Sequence, residues 1–176
     1  DLLGGARLFS LADRKFYYSY TPELCRLKEG VLNASFNLHQ LLSQLDSISR
    51  QEFENSNFEE EILSSCQIDR RPYSKMIKRF YEESPFPLLK LDSPLKNLSW
   101  EAGFSVTSPF RNSKEIEEAQ SFLREWNNEH RQEDILLVSL VSHFIFEYIH
   151  PLEQMNGLIG RAMISKNLNG SIYGVI

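Results

Sequence analysis

A short polar loop between two apolar segments holds the residues of this sequence best suited to chemistry. The apolar segment 135–149 leads into His150, and the turn residues Asn156 and Gly157 open a second helical pattern that includes Arg161. A helix N-terminus favours an anion through its unpaired backbone N–H groups and its dipole, and an arginine adds a forked contact to phosphate. A histidine that accepts a proton beside such a cradle suits transfer of a phosphate-containing group to a hydroxyl. The residues alone leave an alternative open, in which His150 only ends a buried helix and an ordinary turn follows.

The elements that must position this loop are mostly helices. Apolar residues recur at three- and four-residue spacing in six segments, which predict helices over about 22–48, 58–68, 73–82, 113–128, 133–149 and 157–167. Residues 7–20 lack a helical period and predict a short hairpin or an irregular cover, and the alternation at 103–107 predicts a strand. The proline-containing segment 84–98 predicts an extended connection between regions 1–90 and 91–176. The predicted fold class is all-α with one small hairpin.

The composition excludes several classes of protein. The chain has 176 residues, 41% of them hydrophobic and 24% charged, which suits one globular core rather than a disordered tail or a coiled-coil rod. Its net charge of −5 disfavours binding to the backbone of nucleic acid, which requires a basic excess. No apolar run reaches the length of a membrane-spanning helix, and the first residues lack the pattern of a signal peptide. We therefore expect a cytoplasmic protein without a nucleic-acid or membrane partner, and the sequence leaves a homo-oligomer open.

The loop sequence resembles the signature of the Fic family, HPFx(D/E)GNGRxxR. Five residues match this signature in register: His150, Pro151, Asn156, Gly157 and Arg161. An aromatic, a glutamate and an isoleucine at 146–149 precede it as in the family, Leu152 replaces the usual phenylalanine, and Gly160 falls at a free position. The strand predicted at 103–107 lies where Fic proteins carry a flap hairpin. The resemblance covers about residues 100–168.

This resemblance implies a Fic-type helical bundle that transfers AMP from ATP, with Mg²⁺, to a serine, threonine or tyrosine hydroxyl of a target protein. By position, His150 would be the general base that deprotonates the hydroxyl. Asn156, Gly157 and Gly160 would lie in the phosphate-binding part of the site, and Arg161 would hold the distal phosphates. The flap residues Phe104, Ser105 and Val106 would pair with an extended segment of the target protein as an added strand.

Three departures from the signature bear on activity. Gln154 replaces the carboxylate that binds Mg²⁺, and a neutral amide does not supply the missing charge; the adjacent Glu153 is an alternative metal ligand. Met155 replaces a glycine, so a positive φ at this position would cost about 1 kcal/mol. Leu158 replaces an arginine and removes a cation from the triphosphate site. The sequence therefore favours a Fic-like adenylyltransferase with a weakened ATP site. It leaves open a catalytically degenerate binding or regulatory protein, or a transferase with a different phosphate-containing donor.

A second resemblance lies upstream, in a predicted helix that continues to about residue 70. Within 58–70, Ser65 and Asp69 resemble the inhibitory motif of Fic proteins, (S/T)xxxE(G/N), with aspartate in place of glutamate and Arg70 in place of glycine or asparagine. In the family the acidic residue pairs with the second arginine of the signature, here Arg161, and prevents productive ATP binding. The alternative is an ordinary helix whose Asp69 is solvated beside two neighbouring arginines.

Overall fold

The computed structural model describes residues 7–11, 13–82, 109–110, 112–130, 133–152, 155–169 and 171–173. Within these ranges an antiparallel hairpin, β1 (Arg7–Leu11) and β2 (Arg14–Tyr18), is followed by six helices. The helices are α1 (Pro22–Leu42), α2 (Ser47–Ile68), α3 (Lys75–Glu82), α4 (Ser113–Glu129), α5 (Ile135–Ile149) and α6 (Asn156–Leu168). The prediction of a mostly helical chain with one small hairpin is confirmed. No helix in the described residues has the length and apolar content needed to span a membrane.

The hairpin covers one side of the helices with aromatic side chains. Phe9 of β1 pairs with Phe16 of β2 across the ladder, and the two rings stack with centroids 5.2 Å apart. Phe16 also meets the ring of Tyr148 in α5 edge-on, with centroids 4.8 Å apart, while Phe9 lies 6.3 Å from the ring of Trp126 in α4. Aromatic pairs of this kind add about 0.5–1.5 kcal/mol beyond the burial of their area. The hairpin is therefore a structural cover for α4 and α5.

The boundary between α1 and α2 differs from the sequence prediction. α1 begins at the predicted cap, where the Thr21 hydroxyl accepts a hydrogen bond from a backbone N–H of the first turn. The prediction of one continuous helix over 22–48 is wrong, because Asp46 interrupts it. The carboxylate of Asp46 accepts hydrogen bonds from the backbone N–H groups of Ile48 and Ser49, both at 2.9 Å, and so starts a new helix. The second helix predicted at 58–68 is only the C-terminal half of α2.

Side-chain caps also set the starts of α4 and α5. Ser113 is a residue type that can cap a helix, but it is the first residue of α4, and the cap is Asn112, whose Oδ1 accepts a hydrogen bond from the N–H of Glu115 at 3.0 Å. Asp134 caps α5 in the same way, by accepting from the N–H of Leu136 at 3.2 Å. As a result α5 begins two residues later than predicted, and it ends at the predicted residue.

α5 contributes several fully buried side chains to the core and positions the loop that follows it. Its residues Ile145, Phe146 and Ile149 are fully buried, as are Leu123 of α4 and Leu158 of α6. Each side chain of this kind contributes roughly 1.5–3 kcal/mol relative to an exposed one. The apolar helix predicted from the sequence is α5, and α6 packs against it.

Candidate functional site

His150 ends α5 in a left-handed backbone conformation. Its φ is 47°, and its N–H donates a hydrogen bond to the carbonyl of Phe146 at 3.0 Å. A residue other than glycine pays about 1–2 kcal/mol for this conformation, and such strain persists only where the surrounding structure holds it. The chain therefore turns sharply at His150, and the half-buried imidazole stands at the entrance to the loop.

Asn156 closes the loop from its other end. Its Oδ1 accepts a hydrogen bond from the N–H of Leu152 at 3.1 Å, and its Nδ2 donates one to the carbonyl of the same residue at 2.7 Å. The side chain is buried, so both bonds are shielded from water. The structure thus commits the Asn156 amide to the loop backbone. The expected contact of Asn156 with a phosphate stays a prediction.

Met155 and Leu158, two of the departures from the Fic signature, both belong to the hydrophobic core. Met155 has a φ of 69°, the conformation that glycine favours, yet only 3% of the residue is exposed. Leu158 is fully buried, where the signature would have an arginine. The positions where the signature has a glycine and an arginine are therefore used here for apolar packing.

Gly160 packs α6 against α5. A Cβ on this residue would lie 2.5 Å from Nδ1 of His143 and 2.7 Å from Oε1 of Glu147, both of which belong to α5. Only glycine allows so close an approach. Gly160 therefore has a packing role against α5, and its place in the phosphate-binding part of the site stays a prediction.

Arg161 is held at three points by α2. Its Nε donates to the Ser65 hydroxyl at 2.7 Å, and its Nη2 donates to the Ser65 carbonyl at 3.0 Å and to Oδ1 of Asp69 at 2.7 Å. We call this arrangement of Arg161, Ser65 and Asp69 the arginine clasp. The charged side chains are 26% and 18% exposed for Arg161 and Asp69, so the ion pair is largely shielded from solvent. The contact between Asp69 and Arg161 that the second resemblance implies is present.

The arginine clasp lies over the first turn of α6. A Cβ on Gly157 would be 3.1 Å from Nη1 of Arg161 and 3.4 Å from Oδ1 of Asp69. The Asp69 carboxylate therefore occupies a position beside the N-terminus of α6, where a negative charge is favoured. The cap residue of this helix, Met155, makes no side-chain capping hydrogen bond.

The end of α2 aims Asp69 at this position. Arg70 has a φ of 52°, and the N–H of Arg71 donates to the carbonyl of Cys66 at 2.9 Å, which closes the last turn of α2. Glycine and asparagine are the residues that best adopt this conformation. Arg70 therefore has the backbone geometry of the glycine or asparagine in the motif that the segment resembles.

Sequence reasoning missed a second polar contact between α2 and α6. The Ser165 hydroxyl donates to Oε2 of Glu61 at 3.1 Å. Glu61 lies one helical turn before Ser65, and Ser165 lies one turn after Arg161, so the contact continues the arginine clasp along both helices. Burial raises the pKa of Glu61, and the bond from Ser165 opposes that shift. The four-residue spacing of polar residues in each helix could have indicated a shared face. It does not indicate that these two helices contact each other.

The ionisable groups around the α5–α6 crossing are pushed toward their neutral forms. Burial lowers the pKa of His150 and of His143. Burial also raises the pKa of Glu147, against the opposing charge of Arg161. A neutral imidazole at position 150 can accept a proton, as a general base must.

Several residues of the predicted site lie outside the described residues. These are Glu153 and Gln154 in the loop and Phe104, Ser105 and Val106 in the predicted flap, together with the segments 84–98 and 103–107. In the part of the chain that the structure describes, no group of three or more histidine, cysteine, aspartate or glutamate side chains is arranged to hold a metal ion. A search of protein-family models, of curated proteins and of solved structures finds no match to this chain.

A glycine variant is usually less stable than an alanine variant at the same position. Because Met155 combines a positive φ with burial, we expect the opposite order of stability here. Met155→Ala loses the buried side chain and keeps the backbone strain, which should lower the free energy of unfolding by about 2–5 kcal/mol. Met155→Gly loses the same packing but recovers about 1 kcal/mol of strain. Urea unfolding of the two variants should show Met155→Gly to be the more stable. An alanine variant at least as stable as the glycine variant would contradict this interpretation.

The burial of two histidines predicts a pH dependence of stability. Because the folded pKa values of His143 and His150 lie below their ordinary value of 6.5, the unfolded chain binds more protons near that pH. Stability should therefore fall as the pH falls through 6.5. The measurement is an NMR titration of both rings, assigned with His143→Gln and His150→Gln, in buffer and in concentrated urea. Native midpoints at or above the urea midpoints would show that burial does not control these rings.

Proposed function

We propose that this chain is a Fic-like transferase that moves AMP from ATP to a hydroxyl side chain of a target protein, with His150 as the general base. The observation that carries this proposal is the arginine clasp. Two sequence fragments resemble the signature and the inhibitory motif of one family, and their key residues Arg161 and Asp69 meet although they are 92 residues apart. Nothing in the local pattern of either fragment requires that contact, so it supports the two resemblances jointly.

The groups in the arginine clasp indicate whether a phosphate could bind beside Gly157. The Asp69 carboxylate accepts a hydrogen bond from the Arg161 guanidinium beside Gly157. A phosphate oxygen carries the same sign of charge and accepts the same bonds, so these residues fit an anion. They offer no carboxylate set for Mg²⁺ within the described residues.

The chemistry assigned to this chain's own residues is proton transfer and anion binding. ATP, when bound, would supply the phosphoanhydride bond between its α- and β-phosphates. The target hydroxyl oxygen forms the new bond to the α-phosphorus, pyrophosphate leaves, and the hydroxyl proton passes to the neutral imidazole of His150. Arg161 would hold phosphate oxygens, for which its guanidinium must first leave Asp69. The proposed enzyme is therefore autoinhibited in this conformation.

A second candidate function is a binding or regulatory protein that has lost turnover. The observation that favours it is the burial of Met155 and Leu158 in the core. An arginine restored at position 158 would place an unpaired charge in a fully buried position, which is strongly destabilising. The site therefore lacks an arginine that the family signature supplies, and the buried position 158 has no room for one.

Transfer from ATP labelled at its α-phosphate tests the proposed reaction. We expect labelled protein with the wild-type chain, about tenfold more with Asp69→Ala or Asp69→Asn because the clasp is released, and none with His150→Ala. Glu52→Ala, an exposed acid on the same helix as Asp69, is the matched control and should leave labelling unchanged. ATP labelled at its γ-phosphate should give no product, since AMP and not phosphate is transferred.

Calorimetric titration of ATP into the same variants separates the two candidate functions. Binding that appears or strengthens in Asp69→Asn without any labelling would identify the binding protein. The absence of binding heat in both the wild type and Asp69→Asn would overturn both candidates.

A further inference from the structure

α1 carries more apolar surface than the rest of the described chain covers. Its half-buried and buried residues form one face, which consists of Leu24, Lys28, Leu32, Ser35, Leu38, His39 and Leu42. This face is attached through His39, whose Nε2 lies 3.0 Å from the carbonyl of Ile172, and through an ion pair between Lys28 and Asp134. These two contacts identify the face of α1 that packs toward the rest of the described chain.

A second apolar stripe on α1 faces solvent. Leu27 is 59% exposed, Val31 44% and Leu41 61%, with the exposed Ala34 midway between the two leucines. A Cβ placed on Gly30, in the middle of the same side, would meet nothing within 4 Å. We call Leu27, Gly30, Val31, Ala34 and Leu41 the α1 stripe. An apolar stripe of this spacing is typical of a helix that pairs with another helix.

The charge pattern of α1 indicates the kind of partner. The sixteen residues from Gly30 to Leu45 contain no aspartate, glutamate, lysine or arginine, although most of this stretch is exposed. The charged residues of α1 lie in its first two turns, at Glu23, Arg26, Lys28 and Glu29. A second antiparallel copy of the same helix would place those charges against the uncharged C-terminal half, so that like charges do not face one another.

The two leucines of the α1 stripe lie at equal distances from Ala34, so they can pair with each other when two copies of α1 are antiparallel. Leu27 and Leu41 are each seven residues, or about 10 Å along the axis, from Ala34. A two-fold axis at Ala34 therefore brings Leu27 of one copy onto Leu41 of the second at two symmetric places, and it brings the small Ala34 side chains of both copies together at the crossing. We infer that the chain forms an antiparallel homodimer through the α1 stripe. This interface does not involve the arginine clasp, so it goes beyond the proposed function and does not depend on it.

Sedimentation equilibrium of the full chain tests the dimer. We expect a mass of about twice the 20.5 kDa of one chain, and a dimer Kd at least about 100-fold higher for the double variant Leu27→Glu, Leu41→Glu, because it buries unpaired charges in the contact. Asn33→Glu adds a charge to an exposed position of α1 off the stripe and is the matched control, which should stay dimeric. Circular dichroism checks that each variant is folded. A monomeric wild type, or a folded double variant that dimerises as the wild type does, would overturn the inference.

Disulfide trapping tests the antiparallel arrangement, with Cys25→Ser as the background because Cys25 is exposed. Ala34→Cys should form a disulfide-linked dimer under mild oxidation. Leu27→Cys and Leu41→Cys should cross-link when mixed and not singly. Efficient cross-linking of Leu27→Cys with itself would show a parallel pair and overturn the proposed geometry.

Discussion

The guanidinium of Arg161 is the group on which the arrangement of the site depends, because it joins α6 to a helix almost a hundred residues earlier. Its bonds to Ser65 and Asp69 fix the end of α2 over the first turn of α6. A charge that is this far removed from water needs its partners, so losing one partner costs more than the bond itself is worth. The contact between Glu61 and Ser165 extends the same interface by one turn.

The loop beside this contact combines strain with burial. His150 and Met155 both have positive φ angles at the two ends of the loop, and Asn156 spans it with a pair of hydrogen bonds to Leu152. At Met155 the strain of about 1 kcal/mol is smaller than the roughly 1.5–3 kcal/mol gained by burying the side chain. A residue that should disfavour this backbone is thus retained by the core.

Much of the fold could be predicted from the sequence, and the reason is local periodicity. The apolar segment of α5 predicted its last residue, Ile149, and the lack of a helical period at the start of the chain agreed with a hairpin. The α1–α2 boundary was missed because Asp46 caps a helix in the middle of a leucine spacing that continues across it. The cap of α4 is Asn112, and the local sequence does not distinguish it from the adjacent Ser113, since asparagine and serine are both good caps.

Contacts between distant segments were predictable only through the family resemblance. That resemblance correctly paired Asp69 with Arg161, which no spacing rule could do. It did not anticipate the close approach of Gly160 to His143, which is set by the crossing of α5 and α6, or the bonds of Asn156 to its own loop. Single-residue roles of this kind depend on which faces meet, and a motif does not contain that information.

A double-mutant cycle between Arg161 and Asp69 tests the central contact most directly. The free energies of urea unfolding would be measured for the wild type, Arg161→Gln, Asp69→Asn and the double variant. The structure predicts a coupling free energy of about 1–3 kcal/mol between the two side chains. Additive effects, with a coupling below about 0.3 kcal/mol, would show that the two residues do not interact in solution and would contradict this arrangement of α2 and α6.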